Sequence, residues 1–205
     1  MKKTYLTIDL DFFNASELNL FEILDNIKSK SKIQKAFLVS AHHQVLNHLN
    51  KMNDINHVIN MDYHSDICGF KERVSRDKFL DCGTWGYFVN KNISKKSTFS
   101  WVFPTRKCES YWTGYCWTDR FQNPFSNIKN HNWASTHKSK FKSIPYDEIK
   151  YLSICISPHW TNSGVIEKYK PLLKKWDIND NEIKKLISLK YNKEEDLKTK
   201  KTITL

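Results

Sequence analysis

The segment Asp62-Tyr63-His64-Ser65-Asp66 puts three metal-capable side chains at alternate positions, directly after the apolar run His57-Val58-Ile59-Asn60-Met61. If the strand continues through it, Asp62, His64 and Asp66 share one face while Tyr63 and Ser65 turn away. A second pair of acids, Asp9 and Asp11, sits two apart within Thr7-Ile8-Asp9-Leu10-Asp11-Phe12-Phe13. Burying two like-charged carboxylates side by side is costly without a cation. A third apolar run, Ala36-Phe37-Leu38-Val39-Ser40-Ala41, delivers an imidazole from His42 or His43. Four carboxylates with one or two imidazoles and no thiolate suit Mn²⁺ or a similar divalent ion, and carboxylates that bridge favour two ions over one. Ions roughly 3.5 to 4 Å apart hold and ionise a bridging water near neutral pH, so the implied chemistry is metal-assisted hydrolysis.

Such ligands must be carried by elements that end together. The first part of the chain reads as strands over 5–10, 36–41 and 58–62, alternating with helices over 16–29 and 43–52, the first of these starting at Ser16-Glu17. This alternation predicts an α/β fold, a single three-layer domain over 1–205 with a mostly parallel central sheet. In such sheets ligands bind beyond the carboxyl ends of the strands. Residues 81–137 hold five of the seven tryptophans and many Ser, Thr, Asn and Lys residues. They read as a loop-rich middle segment over the mouth of the site, with a short strand at 100–103. Tyr151-Leu152-Ser153-Ile154-Cys155-Ile156-Ser157 is a further buried strand, stopped by Pro158, that offers Ser157 and His159 to the same crevice. Thr161-Asn162-Ser163 then caps a helix over 165–175. A second helix covers 181–189, and 190–205 reads as a flexible lysine-rich tail.

At 205 residues the chain can bury one good core. It has no run of eighteen apolar residues and opens on a strand-like segment ending in acids, so a soluble, cytoplasmic protein with no membrane partner is expected. The five cysteines, Cys68, Cys82, Cys108, Cys116 and Cys155, include no C-x-x-C pair and read as reduced thiols. A net charge of +11 permits nucleic-acid binding, but the lysines are spread along the chain and alternate with acids over 168–201. A solvated lysine-rich surface is the preferred reading, and nucleic acid is not the expected partner.

Taken together, D-x-H-x-D, a strand-ending histidine and D-x-D resemble the ligand set of the ureohydrolase superfamily, which includes arginase and agmatinase and shares its fold with the histone deacetylases. The nearer resemblance is to the branch that includes the peptide arginases. It is carried by Ile8-Asp9-Leu10-Asp11-Phe12-Phe13, His42 with Val45-Leu46, the Asp62 to Asp66 motif, Thr84-Trp85, Trp101-Val102-Phe103-Pro104 and Leu152-Ser153 with Ser157-Pro158, spread over most of residues 5–160. The resemblance implies an arginase-like fold and two Mn²⁺ ions, or another divalent ion. Asp9 and Asp62 would bridge them, His42 and Asp66 completing one and His64 and Asp11 the other. It further implies hydrolysis of an arginine guanidino group to urea and ornithine, with Asp62 in the catalytic centre. In arginase the D-x-D strand follows D-x-H-x-D, whereas here it precedes it.

Proton delivery to the leaving amine would fall to His131, His137 or His159, of which His159 is preferred because it follows a strand end facing the site. A guanidinium needs an acid or carbonyls to receive it, and Asp81 and Glu109 are the acids of the loop-rich segment. Trp85, Trp112 and Trp117 are candidates for stacking on its face, and Ser157 for a polar contact. The expected substrate is an arginine-containing peptide or protein, with an acidic segment that would suit the basic surface. The alternatives are hydrolysis of another C–N bond, agmatinase-like or deacetylase-like, and a non-catalytic basic binding protein on the same fold.

Overall fold

The computed structural model describes residues 3–64, 66, 80, 83, 85–89, 93, 98–102, 104, 144–188 and 201–205. Its centre is a mostly parallel sheet. β1 (Thr4–Asp9), β2 (Lys35–Val39), β3 (His57–Met61), β4 (Thr98–Val102), β5 (Ile149–Cys155) and β6 (Lys201–Ile203) lie in the order β4-β3-β1-β5-β2-β6. Among the described strands only β6 runs antiparallel, against β2. β1 is buried along its whole length, as a strand covered on both faces must be. Leu6 and Ile8 point to one face, and Tyr5, Thr7 and Asp9 to the other.

That parity divides the core. Leu6, Ile8, Leu38 and Ile154 pack with α1 (Leu20–Lys30), α3 (Ser163–Lys175) and α4 (Asp180–Ser188). Each helix buries a stripe at helical spacing: Leu20, Ile23, Leu24 and Ile27 in α1, and Ile166, Tyr169, Leu172 and Leu173 in α3. On the opposite face Tyr5, Val39, Val58, Phe99 and Trp101 pack with Leu46 and Leu49 of the one-turn α2 (Leu46–Leu49), and with Trp85 and Val89. Truncating a fully buried residue such as Ile8 to alanine removes about 2–5 kcal/mol. The architecture is therefore α/β with helices on both faces of the sheet. No described helix is long and apolar enough to cross a membrane.

Four local expectations are corrected. The helix expected from Ser16 begins at Leu20, capped by Asn19, whose side chain accepts the Phe21 N–H; Ser16 instead closes a small turn by accepting the Leu18 N–H. The helix expected over 43–52 is a 3₁₀ turn, His42–Val45, followed by the single turn of α2. Gln44 there folds back to accept the Ser40 N–H at 3.2 Å. β3 stops at Met61, so Asp62 to Asp66 is not a continuation of the strand. Finally, Lys201–Ile203, expected within a frayed tail, forms β6 and covers the edge of β2.

Candidate metal centre

The carboxyl ends of β1, β2, β3 and β5 meet at one place, and the connections leaving β1 and β2 run to opposite sides of the sheet there. β1 ends at Asp9, and a 3₁₀ turn over Leu10–Asn14 carries Asp11 back to the same spot, started by the Asp9 side chain accepting the Asp11 N–H at 3.1 Å. β2 leads through Ser40 and Ala41 to His42. Beyond β3, Asp62 accepts the His64 N–H at 2.8 Å in a side-chain-closed turn, and Asp66 takes a left-handed backbone, φ 57°. A turn, not strand alternation, brings Asp62, His64 and Asp66 inward.

His42 is the hub. Its Nδ1 lies 3.2 Å from Asp9 Oδ2, 2.8 Å from Asp62 Oδ2 and 2.7 Å from Asp66 Oδ2, all four groups being buried. An imidazole nitrogen carries at most one proton, and none of the three contacts has hydrogen-bond geometry. His42 Nε2 is 2.7 Å from the Thr7 hydroxyl. With its Nε2 proton on Thr7, the imidazole would present the Nδ1 lone pair once an ion displaced the Nδ1 proton, the tautomer a metal ligand requires. His43 is not part of either cluster of potential ligands.

Two overlapping triads result, Asp9–His42–Asp62 and Asp11–Asp62–His64, each with one ligand atom per residue within 4.8 Å of the others. Donors at about 2.1 Å around one octahedral ion lie roughly 3 to 4.2 Å apart, so after a modest closing-in either triad could hold an ion. Asp62 belongs to both, as a bridging carboxylate must. Asp66 joins the first through its contact with His42. The second triad reaches solvent: the His64 side chain is 31% exposed, with Nδ1 2.9 Å from Asp11 Oδ2.

Protonation reflects the crowding. Burial, with the charges of Asp11 and Asp62, pushes the Asp9 carboxyl from 3.8 up to about 7. Burial and the charges of Asp66 and Asp11 hold Asp62 well above the usual range, and Asp66 is raised chiefly by burial. Burial also acts upward on Asp11, but the hydrogen bond and charge of His64 outweigh it and leave Asp11 below the usual value. Burial would lower His42, yet the charge of Asp66 and the contacts with Asp62, Asp66 and Asp9 raise it well above 6.5. Three carboxyls that resist ionising around one imidazole are a site waiting for positive charge.

Further residues hold the ligands. Ser157, left-handed at φ 41°, donates its hydroxyl to Asp9 Oδ2, and its N–H bonds the Ser40 carbonyl at 3.0 Å, tying β5 to β2. The sequence offers Ser157 as a contact to substrate; the structure shows its hydroxyl bonded to Asp9. Trp85, expected to stack on substrate, is fully buried with its ring beside His42 and Phe99, and its indole N–H donates to Asp66 Oδ2. Trp101 donates to the Asp62 carbonyl at 2.9 Å, and the Asn60 amide approaches Asp62 Oδ2 at 3.4 Å. Thr7 and Asn60 are not singled out by the sequence, and Trp101 enters there only within the Trp101 to Pro104 motif, although Thr7 shares the β1 face of Asp9 by simple alternation.

His159 lies half-buried in the turn after β5 and belongs to neither triad; its Nδ1 is buried without a hydrogen-bond partner. Its neighbour Trp160 packs edge-on against His64, ring centroids 4.9 Å apart, with Asn14 holding the Trp160 carbonyl at 2.7 Å. Asp81, Glu109, Trp112, Trp117, His131 and His137, and the cysteines other than buried Cys155, lie outside the described residues.

No protein-family description, no curated protein and no solved structure matches this chain significantly. Its chemistry is read from its own residues.

Proposed function

We propose that this protein is a binuclear, manganese-dependent hydrolase of the arginase type that cleaves the guanidino group of an arginine side chain, within a peptide or protein, to urea and ornithine. The observation that carries the metal reading is the His42 Nδ1, set 2.7 to 3.2 Å from three carboxylates with hydrogen-bond geometry to none. The donor set fits: oxygen and imidazole ligands without a thiolate suit Mn²⁺ and exclude a preference for soft ions. Asp9, His42, Asp66 and Asp62 would hold one ion, and Asp62, Asp11 and His64 the other. Bound there, the pair supplies Lewis acidity and an ionised water for attack on an electrophilic carbon.

The chain's own residues do the rest. Among the ligands only His64 has substantial solvent exposure, so substrate comes in over its side, past Tyr63 and Trp160. His159, adjacent to Trp160 in the chain, is the proposed proton donor to the departing amine. The choice of a guanidino substrate follows from the motif resemblance.

The test is metal analysis of purified protein, followed by urea release from free arginine, agmatine and arginine peptides with added Mn²⁺. Bound metal and urea from a peptide are expected. A protein that holds no divalent ion, and whose thermal stability under Mn²⁺ is unchanged by Asp62→Ala, would end this reading.

A further inference from the structure

The 85–86 segment grips Asp66 at two points. The Trp85 indole N–H donates to Asp66 Oδ2, and the Gly86 N–H donates to the Asp66 carbonyl at 3.3 Å. The oxygen that Trp85 holds is the same one that faces His42 Nδ1 at 2.7 Å. The indole ring also lies against the His42 imidazole, centroids 5.0 Å apart and planes tilted by 41°. Trp85 is wholly buried among Val45, Val89, Phe99 and other apolar side chains, where an indole N–H must find an acceptor. That acceptor is a carboxylate nineteen residues earlier in the chain.

Asp66 needs such support more than the other acids. It adopts a left-handed backbone that a residue with a Cβ takes up only when its surroundings enforce it. The supports of Asp62 and Asp9 include main-chain N–H groups of their own turns, from His64 and Asp11. Among the described residues, the Asp66 carboxylate is held by a side chain from another element instead.

We infer that Trp85 is a positioning residue for the ion held by His42, Asp66 and Asp9: its N–H fixes the Asp66 carboxylate and its ring fixes the His42 imidazole, so that one indole sets two ligands of the buried ion. This rests on the metal reading above. It assigns to Trp85 a part in ion affinity and none in substrate contact. Residues that orient ligands typically govern affinity by 10- to 100-fold when removed.

The test is Mn²⁺ titration by calorimetry on the full chain, comparing wild type, Trp85→Phe, Asp66→Asn and the double variant. Trp85→Phe keeps an aromatic ring and loses the N–H. At least a tenfold weakening of the tighter binding step is expected. In the Asp66→Asn background the same change should weaken binding far less, because the group through which Trp85 acts has been altered. Wild-type affinity in Trp85→Phe, or equal losses in both backgrounds, would overturn the inference. A wild-type protein that takes up no divalent ion would instead remove the metal reading itself. Should Trp85→Phe fail to fold, ¹⁵N spectra of the wild-type indoles decide. Adding diamagnetic Mg²⁺ or Zn²⁺ must move an indole N–H signal that Asp66→Asn also moves, and unmoved indole signals overturn the inference.

Discussion

Asp62 Oδ2 faces His42 Nδ1 at 2.8 Å while Asp62 Oδ1 accepts the His64 N–H at 2.8 Å, so one carboxylate touches both halves of the site. Without metal this is an expense to the fold, because Asp62 is buried beside Asp66 and Asp11 and resists ionising. Asp62→Asn should therefore stabilise the metal-free protein at neutral pH, because the amide has no charge to bury beside Asp66 and Asp11. The same substitution should abolish the thermal shift produced by Mn²⁺. His64→Ala should lose one ion per chain and Asp62→Asn both. Denaturant titration with chelator, paired with metal content, checks this; a destabilised metal-free Asp62→Asn that still binds two ions would refute the bridging role.

The raised carboxyls also set a pH dependence. In the metal-free fold Asp9 keeps its proton to about pH 7, whereas in the unfolded chain it releases it near 4. Asp62, Asp66 and His42 are displaced in the same direction. The folded state thus binds more protons than the unfolded one, and this part of the stability is complete at low pH and is lost as pH rises through about 7. Asp11 has the opposite sign, but its effect falls below the ordinary carboxylate range. With chelator, stability should drop between pH 5.5 and 8, by up to about 1.4 kcal/mol per pH unit for each extra proton. With saturating Mn²⁺ the slope should reverse, since the ion displaces those protons and binds more tightly as pH rises. Melting curves at the two pH values with and without Mn²⁺ would show parallel slopes if the cluster were not an ion site.

The sequence made the ligand types and their strands visible because both follow local rules. Apolar runs of five or six residues ending in Asp or His announce β1, β2 and β3, and the stretch between the first two announces α1, with a start at Ser16 that the structure moves to Leu20. What it hid depends on contacts between distant segments. Ser16 and Asn19 are both good caps, and only the packing of Leu20 against the sheet selects Asn19. Asp and Ser are compatible with a strand end and with a turn, so alternation in Asp62 to Asp66 was a fair inference with the wrong backbone. Trp85 reads as a stacking face until the fold encloses both sides of its ring. β6 is three residues in a lysine-rich stretch, and it exists because β2 offers an unpaired edge.

Ser157 separates backbone strain from side-chain function. Its φ of 41° is unfavourable for a residue with a Cβ, and its hydroxyl bonds Asp9. Ser157→Ala keeps the strain and loses the bond, while Ser157→Gly loses both. The glycine variant should therefore be the more stable of the two without metal, by about 1 kcal/mol or more. Both should bind Mn²⁺ at least tenfold more weakly than wild type. Urea unfolding with chelator and calorimetric titration read the two effects separately. An alanine variant as stable as the glycine variant would mean that the strained backbone costs nothing.

Thr7 gives the sharpest check on which His42 nitrogen serves the ions. Its hydroxyl lies 2.7 Å from His42 Nε2, deep beneath the ligands on the face that β1 shares with Asp9. Thr7→Val preserves the shape and removes the only polar partner of Nε2 among the described contacts. The imidazole then either leaves a buried N–H unpaired, at about 1–3 kcal/mol, or moves its proton to Nδ1 and stops being a ligand. In either case Mn²⁺ affinity should fall by about 10- to 100-fold, and Thr7→Ser should restore most of it because the hydroxyl returns. If Thr7→Val binds Mn²⁺ as wild type does while Thr7→Ser is no better than valine, His42 does not present Nδ1 to the ions.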